Sequence, residues 1–255
     1  MKWRLIEQST NNAATNMAVD HAVYESVANG RENPTIRFYK WMPSSISLGA
    51  YQNPNEINLD VCKKHNIGIV RRMTGGRAVF HDKADFTYSV IAPIKVFGYS
   101  IENAYRQICS CIINALNELG INAALENKND IVVDGKKISG NAAKAMEKGV
   151  YLQHGTLVYE IDFNVMPKVL NISQDIVKER VMSIIQHKKI SQNEVYNALK
   201  SNFTKGKVFE AEELSKYESM RAQDLAITKY NHIMLPSGTL LKNKGACYVE
   251  RGSDS

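Results

Sequence analysis

The segment spanning residues 71–82 (RRMTGGRAVFHD) places three arginines, a glycine pair and a histidine close together. Glycine permits positive φ angles and a close approach of the backbone to a ligand. Backbone N–H groups in such a turn bind anions, and arginine adds bidentate charge for a phosphate or carboxylate. The segment predicts a nucleotide-phosphate loop, although it lacks the GxxxxGK[ST] arrangement of the common P-loop. A hairpin turn with surface arginines fits the same residues, and the segment alone leaves both interpretations open.

A second segment, residues 129–142 (NDIVVDGKKISGNA), sets Lys137 beside small residues on a strand. A lysine held in this way acts as a point charge against a phosphate or against a carbonyl oxygen in a transition state. The alternative is a solvated turn lysine, the role that we expect for Lys136. His154, in LQHGT, is a lone strand histidine, for which a structural role is the commoner one.

The elements that must position these residues are read from periodicity and turn chemistry. The apolar stripe of residues 101–119, closed by Gly120, is typical of an amphipathic helix, and Asp134-Gly135 is a strong hairpin signal. Further helices are predicted over 16–28, 59–66, 165–170, 192–203 and 211–230, and strands over 35–41, 45–49, 67–72, 85–94 and 149–162. A hairpin is also expected around Pro236-Ser237-Gly238.

Strands dominate the first half and helices flank them, so we predict an α+β fold with mixed, mostly antiparallel sheets. The 255 residues fit a single catalytic domain over 1–255, with a helical C-terminal part at about 192–255. Only a weak internal boundary is expected, between 173 and 192, where polarity rises. We expect no separate accessory domain within the chain.

Composition narrows the class of protein. Hydrophobic residues make up 44% of the chain and charged residues 23%, an ordinary globular balance. Residues 1–10 lack a signal-peptide run, and no stretch has the ~18 apolar residues of a membrane span, so we expect a cytoplasmic protein without membrane contact. The net charge of +6 suits an acidic partner, but no nucleic-acid-binding motif is present. The four cysteines form no metal-ligand pattern, and we expect free thiols and no metal site.

Taken together, the motifs resemble the lipoate-protein ligase and octanoyltransferase family of the biotin/lipoate protein ligase superfamily. The resemblance runs through WRLIEQSTNNAATNMAVDHAVYE, TIRFYKWMPSSISLGAYQNPNEIN, RRMTGGRAVFHDKADFTYSV, NDIVVDGKKISGNA and KGVYLQHGTLVYEID. It spans nearly the whole chain, and several ordered motifs are far more specific than any one of them. It implies the fold of that superfamily's catalytic domain.

The resemblance also implies roles for individual residues. Lys137 matches the family's central lysine, which contacts the activated acyl group and helps its transfer. The RRxTGG loop of relatives contacts the acyl chain and, in ligases, the acyl-adenylate. Substrate or nucleotide contacts are thereby implied for Asn53, Arg71, Arg72, Thr74, Gly75, Gly76, Arg77, Ala78, His81, Asn129, Asp130, Gly140, Asn141, Ala142, His154, Gly155 and Thr156.

Two activities are compatible with the resemblance. A ligase uses ATP and Mg²⁺ to convert free lipoate to lipoyl-AMP and then passes the acyl group to a lysine. An octanoyltransferase takes octanoate from acyl-carrier protein through a cysteine thioester. In transferase relatives that cysteine lies in an extended loop before the strand of the central lysine, whereas the equivalent stretch here, residues 119–133, is short and has no cysteine. We therefore expect a ligase, with the transferase as the alternative.

Other features bear on that choice. Arg77 stands where many ligases have a third glycine, and TGGR is more common in the transferase-like branch. Two-domain ligases carry an accessory C-terminal domain, so a separate accessory subunit is a possible partner. The acceptors implied are apo lipoyl domains of 2-oxoacid dehydrogenases or the glycine-cleavage H protein. A non-catalytic lipoate- or biotin-binding protein is the second alternative, but it would not need Lys137.

Overall fold

In the computed structural model, which describes residues 1–234 and 240–242, helices flank two larger β-sheets and a short hairpin. The strands are β1 (Lys2–Asn11), β2 (Thr35–Trp41), β3 (Ser45–Leu48), β4 (Gly68–Arg71), β5 (Val79–His81), β6 (Phe86–Pro93), β7 (Ala124–Glu126), β8 (Asp130–Val133), β9 (Lys136–Glu147), β10 (Val150–Leu157), β11 (Val208–Ala211), β12 (His232–Met234) and β13 (Leu240–Lys242). The helices are α1 (Ala13–Ala28), α2 (Leu59–Lys64), α3 (Ile101–Glu118), α4 (Met166–Val169), α5 (Gln174–Arg180), α6 (Ile184–His187), α7 (Gln192–Thr204) and α8 (Lys216–Leu225). Short 3-10 turns occupy Pro54–Glu56 and Ile94–Phe97, and a π-turn, Ala226–Tyr230, follows α8.

The larger sheet has eight strands in the order β11-β1-β2-β6-β10-β9-β8-β7. The β1–β11 and β1–β2 pairs are parallel, and the other neighbours are antiparallel. This confirms the predicted α+β fold with a mostly antiparallel sheet. Helices α3 and α7 cover one face, with a core around Ile108, Ile112 and Phe203. Helices α1 and α8 cover the other face, so the central strands are buried on both sides.

Helix α1 is buried on nearly every side, which explains why its sequence lacks a strong polar face. Asn12 caps its N-terminus by accepting a hydrogen bond from the Thr15 amide at 2.9 Å. Its buried polar residues are Asn16, Asp20 and Ser26. Because Asn16 and Asp20 are four residues apart, their side chains lie on the same helix face.

The smaller sheet has three strands in the order β4-β3-β5, with β3 parallel to β4 and antiparallel to β5. A separate apolar cluster, which includes Ile46, Leu48 and Cys62, packs it against α2 and α4. The smaller sheet carries residues 71–82, the segment rich in arginine and glycine.

Most predicted elements are confirmed, including strand β2 at its full length and the β8–β9 hairpin turning at Asp134-Gly135. The single helix predicted over 211–230 is wrong at its start. Ala211 ends strand β11, and the helix begins after Ser215, which forms a capping box with Glu218. Strands β12 and β13 pair as the C-terminal hairpin requires, but the predicted turn lies outside the described residues.

A fully buried ion pair joins strand β1 to helix α8. Arg4 on β1 donates to both carboxylate oxygens of Glu218 on α8, at 2.8 and 2.6 Å, and to Thr35 Oγ1 at 3.1 Å. Arg4 also lies 3.5 Å from a carboxylate oxygen of Glu32. Neither charge of the pair is exposed, so removal of Arg4 would leave the Glu218 carboxylate without its ion-pair partner in the interior.

Among the helices of the described residues, none combines the length and the apolar character that a membrane span requires.

Candidate functional site

A cavity of about 150 Å³ lies between the two larger sheets. A cavity of this volume is large enough to hold a small organic molecule. Its lining comprises Met17, Tyr39, Trp41, Ser47, Arg72, Gly76, Arg77, Ala78, Val79, His81, Thr87, Asn129, Lys137, Gly140, Asn141, Ala142, His154, Gly155 and Thr156.

Strand register explains why residues distant in sequence meet there. Tyr39 pairs with Thr87, Thr87 with Thr156, and Thr156 with Gly140, so one row crosses β2, β6, β10 and β9. The next row on the same face runs through Ser89 and His154. Since side chains two residues apart point to the same face of a strand, His154 lies beside Thr156 in the cavity wall, whereas Ser89 contacts Asp20 of α1.

Arg72 organises the glycine turn rather than projecting into solvent. It is 5% exposed, and its guanidinium makes five hydrogen bonds. The acceptors are Thr74 Oγ1 at 3.0 Å, Ser47 O at 2.7 Å, Ser47 Oγ at 3.2 Å, Gly75 O at 2.6 Å and Arg77 O at 2.9 Å. Burial lowers its pKa to about 10, which still leaves it charged at neutral pH.

The turn itself depends on two glycines. Gly76 has a φ of +95°, a conformation that other residues rarely adopt. A Cβ on Gly49, at the end of β3, would overlap the carbonyl oxygen of Gly76. Gly49 therefore lets the turn lie directly against the smaller sheet.

His81 bridges the two sheets. Its Nε2 is 2.8 Å from Ser47 Oγ on β3, its Nδ1 is 3.0 Å from Thr156 Oγ1 on β10, and its ring stacks on Trp41 with centroids 4.0 Å apart. Burial and the positive charge of Arg72 hold the pKa of His81 well below its usual value. At neutral pH the ring is uncharged, so it fixes the pocket wall without adding charge.

Lys137 enters the pocket from the β8–β9 hairpin. Its Nζ is 2.7 Å from Asp130 Oδ1, and its side chain is 43% exposed. A Cβ on Gly140 would lie 2.7 Å from Lys137 Cε and 2.8 Å from its Nζ, so the glycine provides the space in which the lysine lies. The Lys137 carbonyl accepts from the Met182 amide at 2.9 Å, which ties this strand to the chain after α5.

Asn129 and Asn141 anchor the start of the same hairpin. Each side-chain amide donates to the other's backbone carbonyl at 2.9 Å. Tyr88 donates to Asn141 Oδ1 at 2.6 Å. A Cβ on Gly155 would overlap Asn141 Oδ1, so the absence of a side chain at Gly155 leaves room for this amide. The pair is a rigid support for the strand that carries Lys137.

The structure brings most of the implied site residues to one cavity, but five do not line it. Thr74, Gly75 and Asp130 lie behind the wall, bonded to Arg72 or Lys137. Arg71 Nη1 donates to Gly49 O at 2.9 Å and Gln52 O at 2.7 Å, which fixes the neighbouring loop. Asn53 is exposed and caps the 3-10 turn by accepting from the Asn55 amide at 3.0 Å.

Sequence reasoning missed six lining residues: Met17, Tyr39, Trp41, Ser47, Val79 and Thr87. Four of them are apolar or aromatic and had the pattern of ordinary core residues. The alternation in β2 and β6 carried a signal, because both strands place hydroxyl groups or charges between apolar neighbours. Only the tertiary packing shows that this face opens into a cavity.

Comparisons with known proteins agree with this geometry. The family model of the lipoyl protein ligase A/B catalytic domain matches residues 12–204. Octanoyltransferase LipM of Halalkalibacterium halodurans is 34% identical over 263 residues, which cover 89% of this chain and 95% of that protein. A crystal structure of lipoate-protein ligase A bound with ATP has a TM-score of 0.80 at 30% identity, covering 90% of this chain and 96% of that one.

A third relative comes from Thermoplasma acidophilum. Its structure, described as a bi-partite lipoate protein ligase and its E2 lipoyl domain, has a TM-score of 0.77 at 29% identity and covers 89% of this chain and 92% of that one. The family model and the LipM relative each span most of the chain. The chain therefore belongs to the lipoyl protein ligase A/B catalytic domain family and is an enzyme of the lipoate-ligase and acyltransferase group.

Proposed function

We propose that this enzyme is an ATP-dependent lipoate-protein ligase, which forms lipoyl-AMP and transfers the acyl group to a lysine of a lipoyl domain. The observation that carries the proposal is the chemistry of the pocket wall. It offers cationic groups, Lys137 and Arg77, beside a glycine turn, and no cysteine of the described chain lines it. This wall suits a phosphate and a carboxylate, not a thioester intermediate.

The described cysteines are unsuited to nucleophilic catalysis. Burial raises the pKa of Cys62 to about 11 and that of Cys109 to about 12, and it also raises the pKa of Cys111. A nucleophilic cysteine needs the opposite shift, because the thiolate is the reactive form. Cys62 lies in the core of the smaller sheet and Cys109 in the core under α3. Cys247 lies outside the described residues.

Two group transfers make up the proposed reaction. A carboxylate oxygen of lipoate attacks the α-phosphorus of ATP, the bond to the β-phosphate oxygen breaks, and pyrophosphate leaves. The neutral amine of the acceptor lysine then attacks the acyl carbonyl, the bond to the phosphate oxygen breaks, and AMP leaves as the amide forms. Negative charge builds up on phosphate oxygens in the first step and on the carbonyl oxygen in the second, where Lys137 Nζ would stabilise it.

The remaining pocket residues would contact different parts of the ligand. Met17, Tyr39, Trp41 and Val79 provide apolar surface for an acyl chain of lipoate or octanoate. Arg77 is exposed at the edge of the cavity, where its guanidinium can meet a phosphate. The Mg²⁺ that accompanies ATP would be held mainly by phosphate oxygens, because the described residues contain no group of three His, Cys, Asp or Glu side chains placed to bind a metal.

The acceptor that we propose is an apo lipoyl domain of a 2-oxoacid dehydrogenase or the glycine-cleavage H protein. The net charge of +6 favours an acidic docking partner. The bi-partite relative also makes a separate accessory subunit a candidate partner for this chain.

Octanoyl transfer from acyl-carrier protein is the second candidate. It is favoured by the curated sequence relatives, which are named octanoyltransferase LipM. The structural relative with bound ATP, named lipoate-protein ligase A, favours the ligase instead. We give the ligase precedence because the described cavity contains no thiol.

The test is the mass of an apo lipoyl domain after incubation with the pure enzyme. One reaction contains lipoate, ATP and Mg²⁺, and the other contains octanoyl-acyl-carrier protein without ATP. Lys137→Ala is run in both, beside Lys136→Ala, whose Nζ instead donates to the Lys178 carbonyl at 2.9 Å. A variant with all four cysteines replaced by serine is the control for thioester chemistry.

We expect a mass gain that requires ATP, survives the four cysteine substitutions and disappears in Lys137→Ala. A gain only from the carrier protein, lost in the cysteine variant, would overturn the ligase and establish the transferase. Formation of lipoyl-AMP without transfer would retain the ligase chemistry and point to a missing accessory subunit. Binding of lipoate with neither adenylate formation nor transfer would leave a non-catalytic binder.

A further inference from the structure

A buried carboxylate on helix α1 lies at the beginning of a chain of hydrogen bonds that ends at the glycine turn. Asp20 is 1% exposed and does not line the cavity. Its carboxylate accepts from Arg37 Nη1 at 2.7 Å, Tyr39 Oη at 3.0 Å and Ser89 Oγ at 2.9 Å. Burial alone would raise the pKa of Asp20, but Arg37 and His154 outweigh it and hold the pKa below its usual value. The group is therefore ionised.

His154 is the second member of the chain. Its Nδ1 is 3.3 Å from Asp20 Oδ2, and its Nε2 is 2.6 Å from Thr74 Oγ1. An ionised carboxylate can only accept, so Nδ1 carries the hydrogen. The tautomer with its hydrogen on Nδ1 leaves Nε2 as the acceptor for the Thr74 hydroxyl. Asp20 in this way fixes both the orientation and the tautomer of the histidine.

Thr74 links His154 to Arg72 by hydrogen bonds. Its Oγ1 accepts from Arg72 Nε at 3.0 Å, while the far side of the same guanidinium, Nη2, donates to the carbonyls of Gly75 and Arg77. Because a trans peptide directs its N–H opposite to its C=O, the amides of Gly76 and Ala78 point away from Arg72. Both residues line the cavity.

We propose that Asp20 is a positioning residue, which acts through His154 and Thr74 to hold Arg72 and thereby to set the anion-binding turn of residues 75–78. Gly76 in this turn has a positive φ, and because glycine is conformationally permissive, the contacts around the turn must hold its shape. The catalytic consequence rests on the proposed function, in which this turn meets a phosphate. The structural consequence holds for either acyl donor.

The first measurement needs no substrate. Amide hydrogen exchange of residues 74–78 is followed by mass spectrometry in the whole protein. In Asp20→Asn, which keeps the size and loses the charge, we expect about tenfold faster exchange in this segment. The matched control is Ser89→Ala, which removes a hydrogen bond to the same carboxylate but lies off the path to Thr74. Its exchange should equal that of the wild type.

The second measurement is a double-mutant cycle on transfer to the lipoyl domain, with whichever donor the wild type uses. Thr74→Val breaks the path at its far end without touching the Asp20–Arg37 pair, and Thr74→Ser restores the hydroxyl. We expect kcat/KM to fall about 10- to 100-fold in Asp20→Asn and in Thr74→Val, as for other groups that orient a functional residue. The double variant should be no worse than either single one, and Thr74→Ser should recover the wild-type value.

Equal exchange and transfer in Asp20→Asn and Ser89→Ala would overturn the proposal, as would strictly additive losses in the cycle. If Asp20→Asn does not fold, Thr74→Val and its serine rescue still decide whether the path holds the turn. Absence of both lipoyl-AMP formation and transfer from either donor in the wild type defeats the proposed function, while the exchange experiment continues to judge the role of Asp20.

Discussion

Arg72 and Lys137 bring positive charge to the same cavity from opposite walls, and their surroundings differ. Arg72 is 5% exposed and has five hydrogen bonds to the turn and to β3. Lys137 has a side chain that is 43% exposed and pairs with Asp130 at 2.7 Å. One wall is fixed before a ligand arrives, whereas the other can move its charge to follow a reacting group. An enzyme that binds one anion and then stabilises charge at a second position needs both kinds of wall.

The largest effect expected from this comparison is on rate, at Lys137. In Lys137→Ala the transfer rate should fall about 10²- to 10³-fold, as when one charge-stabilising donor is removed from an active site. The free energy of unfolding should change by less than about 0.5 kcal/mol, because the side chain is half-exposed. Single-turnover transfer and urea unfolding measure the two effects, with Lys136→Ala as the control. A large stability loss would show that the lysine is part of the packing.

Arg72→Lys should affect stability first. An ammonium group has three hydrogens and cannot satisfy five acceptors, so at least two buried acceptors lose their donor. We expect a loss of about 3 kcal/mol in the free energy of unfolding, together with loss of activity. Arg71→Lys is the matched comparison, because Arg71 is half-buried and bonds to a surface loop. It should lower the free energy of unfolding by about 1 kcal/mol or less. Similar stability of the two variants would contradict the contrast between the walls.

A glycine from each wall gives a finer test. Gly49→Ala would push a methyl group against the backbone of Gly76, which cannot retreat, and should cost about 2 kcal/mol. Gly140→Ala meets only the flexible end of Lys137, so its stability should stay within about 0.5 kcal/mol of the wild type. The transfer rate of Gly140→Ala should nevertheless fall, since the added methyl group displaces the Lys137 side chain from its position in the cavity. Thermal unfolding and transfer assays distinguish the two, and a stable Gly49→Ala with full activity would disprove the rigid wall.

The buried His81 predicts an effect of acid on stability. The pKa of His81 in the folded protein lies well below the value of about 6.5 in the unfolded chain. The unfolded state therefore binds more protons below pH 6.5, and stability falls as the pH drops, with a slope of about 1.4 kcal/mol per pH unit from this group. Urea unfolding between pH 5 and 8 should show a shallower fall in His81→Gln than in the wild type. Exposed His65→Gln should keep the wild-type slope, and equal slopes in all three would contradict the buried, neutral His81.

Glu218→Gln separates stability from activity in all of these comparisons. It breaks the buried pair with Arg4, which lies away from the cavity, and removal of one member of such a pair costs about 3–5 kcal/mol. Under conditions where the variant is still folded, its transfer rate should equal that of the wild type. A loss of rate comparable to that of Arg72→Lys would mean that global destabilisation, and not the turn, explains the arginine variant.

The local elements and the motifs could be predicted from the sequence alone. The helix of residues 101–118 and the hairpin at Asp134-Gly135 follow from apolar spacing and turn chemistry, which act over a few residues. The family resemblance identified Lys137 and the glycine turn, and the structure brings both to one cavity. Neither residue spacing nor the family resemblance distinguishes the residues that line the cavity from those that lie behind them.

The long-range strand pairings and the chain of buried polar residues depend on the tertiary fold and have no local signal in the sequence. Strand β11 pairs in parallel with β1, about two hundred residues away, so its short exposed sequence gave no local sign of a sheet. In the sequence Asp20 is a single charge within a helix, and only the fold places Arg37, Ser89 and His154 around it. Burial and partners set whether such a group is solvated, paired or functional, and both arise from contacts between segments that are distant in sequence.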